Sequence, residues 1–377
     1  MYKKESDSLG TLIELCSDKN VAVSFSCGKD SLVVLDLANR IGIEKAVFAD
    51  TSIEFKETLE YLEYIQDFYN IDVVRSSKDF FSYVKDLGLP SRRYRWCCDV
   101  LKFGPLASYA IENNITAFIT GLRRDESRRR ECYDILNFNP AIPVPQVNPI
   151  LDWTDEDIWN YIKENNLPYN PLYNHFSRVG CFCCPYRTNK DEWKKVRNLI
   201  PEGMDKLDKT INEKTQNIKS GYKKLFMEDG WKSWTYPLKK INVGKYSFDE
   251  TTNSFKIRIN DLNQVDKVKN MIDVLDNEYE ISNNDITIFI KENNKKGEEF
   301  QKIKVMVEKS INCIQCSTCI ALCEKGALYV NGNIKVNSEL CEKCSKCLIA
   351  NGNTSLRMMC IARNYTRNRN TLLQVDS

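Results

Sequence analysis

Apolar residues along this chain fall into two alternating periods. Short, nearly continuous apolar runs, VAVSF from Val21, KAVFAD from Lys45 to Asp50, IDVVRS from Ile71 and TAFITG from Thr116 to Gly121, have the length of buried strands. Between them LVVLDLANR and IEFKETLEYLEYIQDFYN carry apolar residues at the spacing of a helix with one buried face. Strand alternating with helix predicts an α/β fold, a mostly parallel sheet with helices on both faces, whose ligands belong at the carboxyl ends of the strands. Further on, NPILDWTDEDIWNYIKENNLPYNPLY sets Thr154 and Asp157 at capping-box spacing. Ile158, Tyr161 and Ile162 then make one helical face, and Pro168 and Pro171 end it. Trp153 and Trp159 read as core packing. From about Asp191 to Lys240 the pattern is helical and rich in Lys and Trp. SFKIRIN, DLNQVDKVKNMIDVL, ITIFIKE and EEFQKIKVMVEKS then read as strand, helix, strand and helix, a small α/β module taken as a spacer.

Composition narrows the classes. At 377 residues the chain is longer than one ordinary domain. Charged residues are 28% and the net charge is +2, so basic surface must be local rather than global. No run long and apolar enough to span a membrane is present, and MYKKESDSLG lacks the apolar centre of a signal peptide, so we expect a cytoplasmic protein without membrane contact. Sixteen cysteines accompany a single histidine, His175. Histidine-based zinc sites and Ser-His-Asp or Cys-His catalysis are therefore poor candidates. Short, regular cysteine spacings between Cys313 and Cys360 favour metal or iron–sulfur ligation over a secreted disulfide framework.

The candidate chemistry starts in VAVSFSCGKDS, where a strand feeds a Ser/Gly turn and a helix N-terminus. Unpaired amides and the helix dipole suit an anion there. Lys29 adds charge, Ser24, Ser26 and Ser31 add hydroxyls, and Gly28 permits close approach. Asp30 would cap the helix or help hold magnesium. Asp50 and Thr51 end the second strand, and Gly121 ends the fourth. The following LRRDESRRR concentrates Arg123, Arg124, Arg128, Arg129 and Arg130 at a strand terminus, either as phosphate or sulfate ligands or as a solvated loop paired with Asp125, Glu126 and Glu131. Cys97 and Cys98 are adjacent beside Arg92, Arg93 and Arg95, and GCFCCP supplies Cys181, Cys183 and Cys184. Four thiolates would hold zinc or a [4Fe-4S] cluster, and spacing does not settle which of the last three ligate. Cys313, Cys316, Cys319 and Cys323 give the bacterial ferredoxin run C-x2-C-x2-C-x3-C, and Cys341, Cys344 and Cys347 begin a second. Exchange of the fourth cysteine between runs groups Cys313, Cys316, Cys319 and Cys360 on one cluster and Cys341, Cys344, Cys347 and Cys323 on the other. Glu324 replaces the usual proline and Asn351 stands where the last cysteine of the second run is expected; structural zinc is the alternative. Arg357, Arg363, Arg367, Arg369 and Tyr365 in the closing segment suit single-stranded nucleic acid or an ordinary solvated tail.

The loop resembles the SGGKDS loop of the PP-loop ATP pyrophosphatases, with Cys27 where that family usually has its first glycine. It is either a tolerated small residue or a thiol beside the phosphates. DTSIEFKET, RWCC, GLRRDESRRR, NPILDWTDEDIW and GCFCCP follow in the order found in the phosphoadenosine phosphosulfate reductase family, a resemblance that covers roughly residues 20–190. It implies one [4Fe-4S] cluster on Cys97, Cys98, Cys181 and Cys184, with Cys183 packed or serving as a sulfur carrier. The reductases carry a catalytic cysteine in an ECGLH-like C-terminal segment, and the residues after Cys360 contain none. Their loops tend to be degenerate, whereas this one keeps the ATP-using form. Both departures make the chain more similar to ATP-dependent thiolation enzymes such as the sulfurtransferases of DNA phosphorothioation. The expected division is 1–220 for a PP-loop nucleotide-binding domain with an iron–sulfur site, 221–305 for the spacer and 306–377 for a ferredoxin-type domain with a basic tail. An ATP-dependent sulfurtransferase is the leading expectation, using ATP, magnesium, three [4Fe-4S] clusters, a cysteine desulfurase or other sulfur donor, an external electron donor and a DNA or RNA acceptor. Lys29, Asp30, Arg123, Arg128 and Cys183 would carry the catalysis. The alternatives are reduction of a sulfonucleotide to sulfite and a non-enzymatic electron-relay or nucleotide-sensing subunit.

Overall fold

The structure, a computed structural model, describes residues 2–90, 95–187, 189–215, 244–259, 262–275, 277–290, 296–313, 315, 317 and 319–348. The main sheet contains β1 (Val21–Phe25), β2 (Ala46–Asp50), β3 (Ile71–Arg75), β4 (Ala117–Ile119), β5 (Leu136–Asn137) and β6 (Gln146–Val147), in the order β3-β2-β1-β4-β6-β5. Every neighbouring pair is parallel except β5 with β6. The expected α/β fold with a mostly parallel sheet is therefore the fold observed. From β1 the chain builds outward through β2 and β3, then crosses back to β4 on the other side. That reversal opens a crevice beyond the carboxyl ends of β1 and β4.

Helices α1 (Tyr2–Cys16), α2 (Lys29–Asn39), α3 (Lys56–Gln66), α4 (Phe80–Leu87), α5 (Trp96–Cys98), α6 (Gly104–Glu112), α7 (Asp155–Glu164), α8 (Lys190–Leu199) and α9 (Pro201–Thr215) surround it. One sheet face packs Val23, Phe25 and Phe48 against Leu12, Leu32, Val33, Tyr61, Ile158 and Tyr161 from α1, α2, α3 and α7. On the other face Ala22, Val47 and Phe118 meet Leu106, Tyr109 and Ala110 of α6. A third apolar cluster joins Phe80, Tyr83 and Val84 of α4, Trp96 of α5, Cys183, and Met204 and Leu207 of α9. Helices α5 and α6 are one helical run interrupted by a π-helical turn, Asp99–Phe103. Pro105 has no amide to donate back along that run, which accounts for the widened turn. The capping box read at Thr154 is present, with Asp157 as its partner.

A second, antiparallel sheet holds β7 (Gly244–Asp249), β8 (Ser254–Ile259), β9 (Tyr279–Ser282) and β10 (Asp285–Phe289) in the order β7-β8-β10-β9. Helices α10 (Val265–Ile272) and α11 (Lys296–Ile311) cover one face through Val268, Ile272, Ile303 and Val307. The predicted strand, helix, strand and helix are all there, but the two edge strands, β7 and β9, were not foreseen. β9 is largely exposed, so it has no buried face to write an apolar alternation. The division expected at 305/306 falls inside α11, which is continuous. Beyond it the cysteine-rich segment forms a hairpin of β11 (Leu328–Val330) and β12 (Ile334–Val336). Ile320, Leu328 and Ile334 pack on Met271 of α10, Met306 of α11 and Ile111 of α6. The Ser77 and Tyr83 hydroxyls both donate to the Gln315 carbonyl, at 3.1 and 3.3 Å, and so tie this segment to the first domain. Cys316, Cys360, Arg92, Arg93, Arg357, Arg363, Tyr365, Arg367 and Arg369 lie outside the described residues, and no helix among those described is long and apolar enough to cross a membrane.

Candidate functional site

The crevice at the end of β1 is a cavity of about 1120 Å³. That exceeds the roughly 300–1,000 Å³ usual for a small-molecule site and leaves room for a nucleotide and a second reactant. Ser24, Ser26, Gly28, Lys29, Asp30, Ser31, Thr51, Gly121 and Arg123 all line it. The loop is held by its own hydroxyls: the Ser31 hydroxyl donates to the Gly28 carbonyl at 2.8 Å and accepts from the Ser26 amide at 3.2 Å. Gly121 is required by contact, since a Cβ there would stand 2.7 to 2.9 Å from backbone atoms of Asp30 and Ser31. Only glycine lets the end of β4 lie against the first turn of α2.

Cys27 has φ +56°, the left-handed conformation in which glycine is at ease. Its side chain is fully buried among Phe25, Leu32 and Tyr61, and burial pushes the thiol up, with Glu54 adding to it. Of the two readings of Cys27, the packed small residue is the one seen, and its thiol does not line the cavity. Asp50 is also turned away: it accepts from Arg75 at 2.7 Å and from the Ser52 amide. Arg128 is exposed outside the cavity, while Arg130 lines it and pairs with Glu126.

Lys29 and Arg123 are not free cations. Arg123, almost wholly buried, donates from Nε to Asp30 at 2.6 Å, from Nη2 to Asp155 at 3.0 Å and from Nη1 to the Trp153 carbonyl at 3.1 Å. The Lys29 ammonium lies 2.6 Å from the same Asp155 oxygen and 3.2 Å from Asp30. Burial works against ionisation of Asp155, but the hydrogen bond and charge of Lys29, with Arg123, hold its carboxyl below the usual range. Both Asp30 oxygens are thus engaged by cations. The Lys29 amide donates to the Tyr173 hydroxyl at 2.9 Å.

The same cavity is also lined by cysteines. Cys97 and Cys98 sit at the start of the α5–α6 run, where the helix dipole favours thiolate. Arg95 donates to the Cys98 sulfur at 3.1 Å and stacks over the Tyr186 ring at 4.7 Å. A hydrogen bond from Cys97, then Arg95 and Lys102, bring Cys98 down to about 5, against burial. Cys97 is raised by that same hydrogen bond, by burial and by the neighbouring Cys98, Cys181 and Cys184. Cys181 is raised by burial and by Glu54, whose carboxylate accepts from Thr51 at 2.6 Å. Cys98 and Cys181 line the cavity. Cys183 packs in the core and burial pushes its thiol up. Among the described residues no three such side chains are already closed to metal-binding geometry. Four mutually perturbing thiols with Arg95 and Lys102 beside them nonetheless match the donor set of an anionic thiolate-bound cluster, with Cys183 outside it.

In the C-terminal segment, burial pushes up Cys347, and Cys323, Cys341 and Cys344 act in the same direction against Lys309. Lys309 is buried and donates to the Cys347 carbonyl at 2.6 Å. Cys313 and Cys319 join the same apolar cluster. The buried amide groups of Asn312 and Asn333 each leave one polar atom without a partner. The buried Lys309 ammonium and the unpartnered Asn333 Nδ2 donor suit an anionic thiolate centre, iron–sulfur or zinc alike, whereas the unpartnered Asn312 atom is an acceptor oxygen.

Residues 20–187 match the phosphoadenosine phosphosulfate reductase domain. Adenosine 5'-phosphosulfate reductase 2 of Bacillus subtilis is 30% identical over 174 residues, which are 44% of this chain and 72% of that protein. The chain belongs to the phosphoadenosine phosphosulfate reductase family. Its named relatives are enzymes. An uncharacterised protein of Methanocaldococcus jannaschii is 37% identical over 213 residues, 55% of this chain and 51% of the relative, so the chain spans about half of that protein's length. The solved phosphoadenylyl-sulfate reductase of Candida auris superposes with a TM-score of 0.39 at 19% identity over 46% of this chain and 88% of that one, values too low to carry an argument.

Sequence reasoning did not foresee Asp155, Tyr173, Glu54 or Lys102 as lining residues. Asp155 was legible only as an acid in the first turn of a helix, and its partner Lys29 lies far away in sequence. Glu54 stands within the DTSIEFKET motif, where its burial could not be read.

Proposed function

We propose that this family member is an ATP-dependent iron–sulfur sulfurtransferase. One observation carries the reading: a PP-type loop and Cys98 and Cys181 line a single cavity. ATP enters with its magnesium and lays its phosphates along Ser26 to Ser31, where loop amides and the α2 dipole meet them. An acceptor oxygen attacks the α-phosphorus, the bond to pyrophosphate breaks, and Lys29 and Arg123 offset the charge that develops. The terminal sulfur of a persulfide then bonds to the acceptor as the bond to AMP breaks, and two electrons from the external donor cleave the resulting disulfide, releasing the thiolated acceptor and the donor's cysteine thiol. A [4Fe-4S] cluster held by Cys97, Cys98, Cys181 and Cys184 would supply electrons beside that acceptor. Cys183, being buried, is left out as a carrier, and the sulfur is assigned to a persulfide on a partner such as a cysteine desulfurase. Arg128 is left out of the charge-stabilising set in favour of Arg130. Two further clusters in the C-terminal segment would pass electrons from an external donor. A DNA or RNA acceptor rests on family resemblance.

Anaerobically prepared protein given ATP, a nucleic-acid acceptor, a persulfide donor such as a cysteine desulfurase with cysteine, and reductant should release AMP and pyrophosphate. About twelve iron atoms per chain are expected for three cubane clusters, and four or fewer would overturn that count. The second reading, reduction of a sulfonucleotide to sulfite, is favoured by the adenosine 5'-phosphosulfate reductase relatives. Sulfite formed from adenylyl sulfate without ATP, and no AMP formed from ATP, would establish it instead.

A further inference from the structure

The phosphate cradle is electrostatically spent as it stands. Its two cations, Lys29 and Arg123, have side chains only 6% and 3% exposed, and each is bonded to both Asp30 and Asp155. Two carboxylates therefore neutralise two cations, with Asp125 a third acid 3.4 Å from Arg123. A polyanion that settled on this loop would reach Lys29 and Arg123 only in competition with these carboxylates, while Arg130, which also lines the cavity, is paired with its own acid, Glu126.

The two acids differ in how they are held. Asp30 is the residue next to Lys29 on α2 and its side chain is 18% exposed. Asp155 comes from another element, the first turn of α7, and its side chain is 58% exposed, yet one of its oxygens bridges the Lys29 ammonium and the Arg123 guanidinium. When that carboxylate swings off, it stays at a helix N-terminus, where a negative charge is stabilised. Thr154 and Asp157 continue to cap the helix without it. Leaving is therefore cheap for Asp155 and not for Asp30.

We propose that Asp155 is a carboxylate latch, occupying on Lys29 and Arg123 the place of a substrate phosphate and yielding only to an anion that outcompetes a carboxylate for both cations. This rests on the reading of Ser26 to Ser31 as a phosphate loop. The latch makes Asp155 a specificity-determining residue. Polyphosphates, with several charged oxygens to place on the loop amides as well as on the two cations, displace it, and small singly charged anions do not.

The probe is inorganic pyrophosphate without magnesium, titrated calorimetrically into the full-length protein, Asp155→Asn and Lys29→Met, each checked for an unchanged melting profile. Asparagine keeps the size and removes the charge, so Asp155→Asn should bind pyrophosphate about tenfold more tightly than the unaltered protein. A purely structural ion pair predicts the opposite, a looser Lys29 and weaker binding. If Lys29→Met loses binding but Asp155→Asn gains none, the latch is overturned and the phosphate loop stands. If Lys29→Met binds as well as the unaltered protein, the phosphate reading falls and the latch with it.

Discussion

Gly121 leaves no space for a methyl group against the first turn of α2, and that turn carries Lys29 and Asp30. Gly121→Ala must push β4 and the loop apart, with a stability loss on the order of 1–3 kcal/mol and loss of nucleotide binding beyond what that destabilisation alone would cause. Chemical denaturation and nucleotide titration together check it. Cys27 shows the reverse economy, a side chain accepted at positive φ because its sulfur fills the core. The motif residues Ser26, Gly28, Lys29, Ser31, Gly121 and Arg123 were legible because each belongs to a short contiguous pattern. Neutralisation of Lys29 and Arg123 was not, because it depends on Asp155 arriving from a distant helix.

At the scale of elements, β1 to β4, α2, α3 and α7 could be read from apolar period alone, since each has a face buried in the sheet core. β5 and β6 are two residues each, too short to show any period. α1 is rich in lysine and acid, and is held partly by polar ties such as the Ser8 hydroxyl donating to the Pro149 carbonyl at 2.7 Å. The seat of the cysteine-rich segment is equally invisible in sequence, because Ile111 on α6 meets it across some two hundred residues. Ile111→Asp places a charge in that apolar seam. Faster proteolysis within 313–348, with the main sheet still folded by circular dichroism, is the expected outcome. Cleavage unchanged from the native pattern would show that the seam does not hold the segment.

At the scale of the whole molecule, the family match stops at residue 187, yet the main sheet and the C-terminal thiols are not independent. The Gln315 carbonyl, within the cysteine-rich run, accepts from the Tyr83 hydroxyl. The Tyr83 ring lies 6.2 Å from Trp96, the residue before Cys97. Trp96 is fully buried, stacked on Phe80 at 5.5 Å, with its indole N–H donating to the Gly88 carbonyl at 3.0 Å. An indole packed so closely next to Cys97, a ligand of the cluster proposed above, would also be a built-in optical gauge. Iron–sulfur loading should quench its emission by energy transfer, chelation should restore it, and Trp96→Phe should abolish that component. Occupancy of the thiol wall would then be readable in ultraviolet fluorescence, with no label and no turnover.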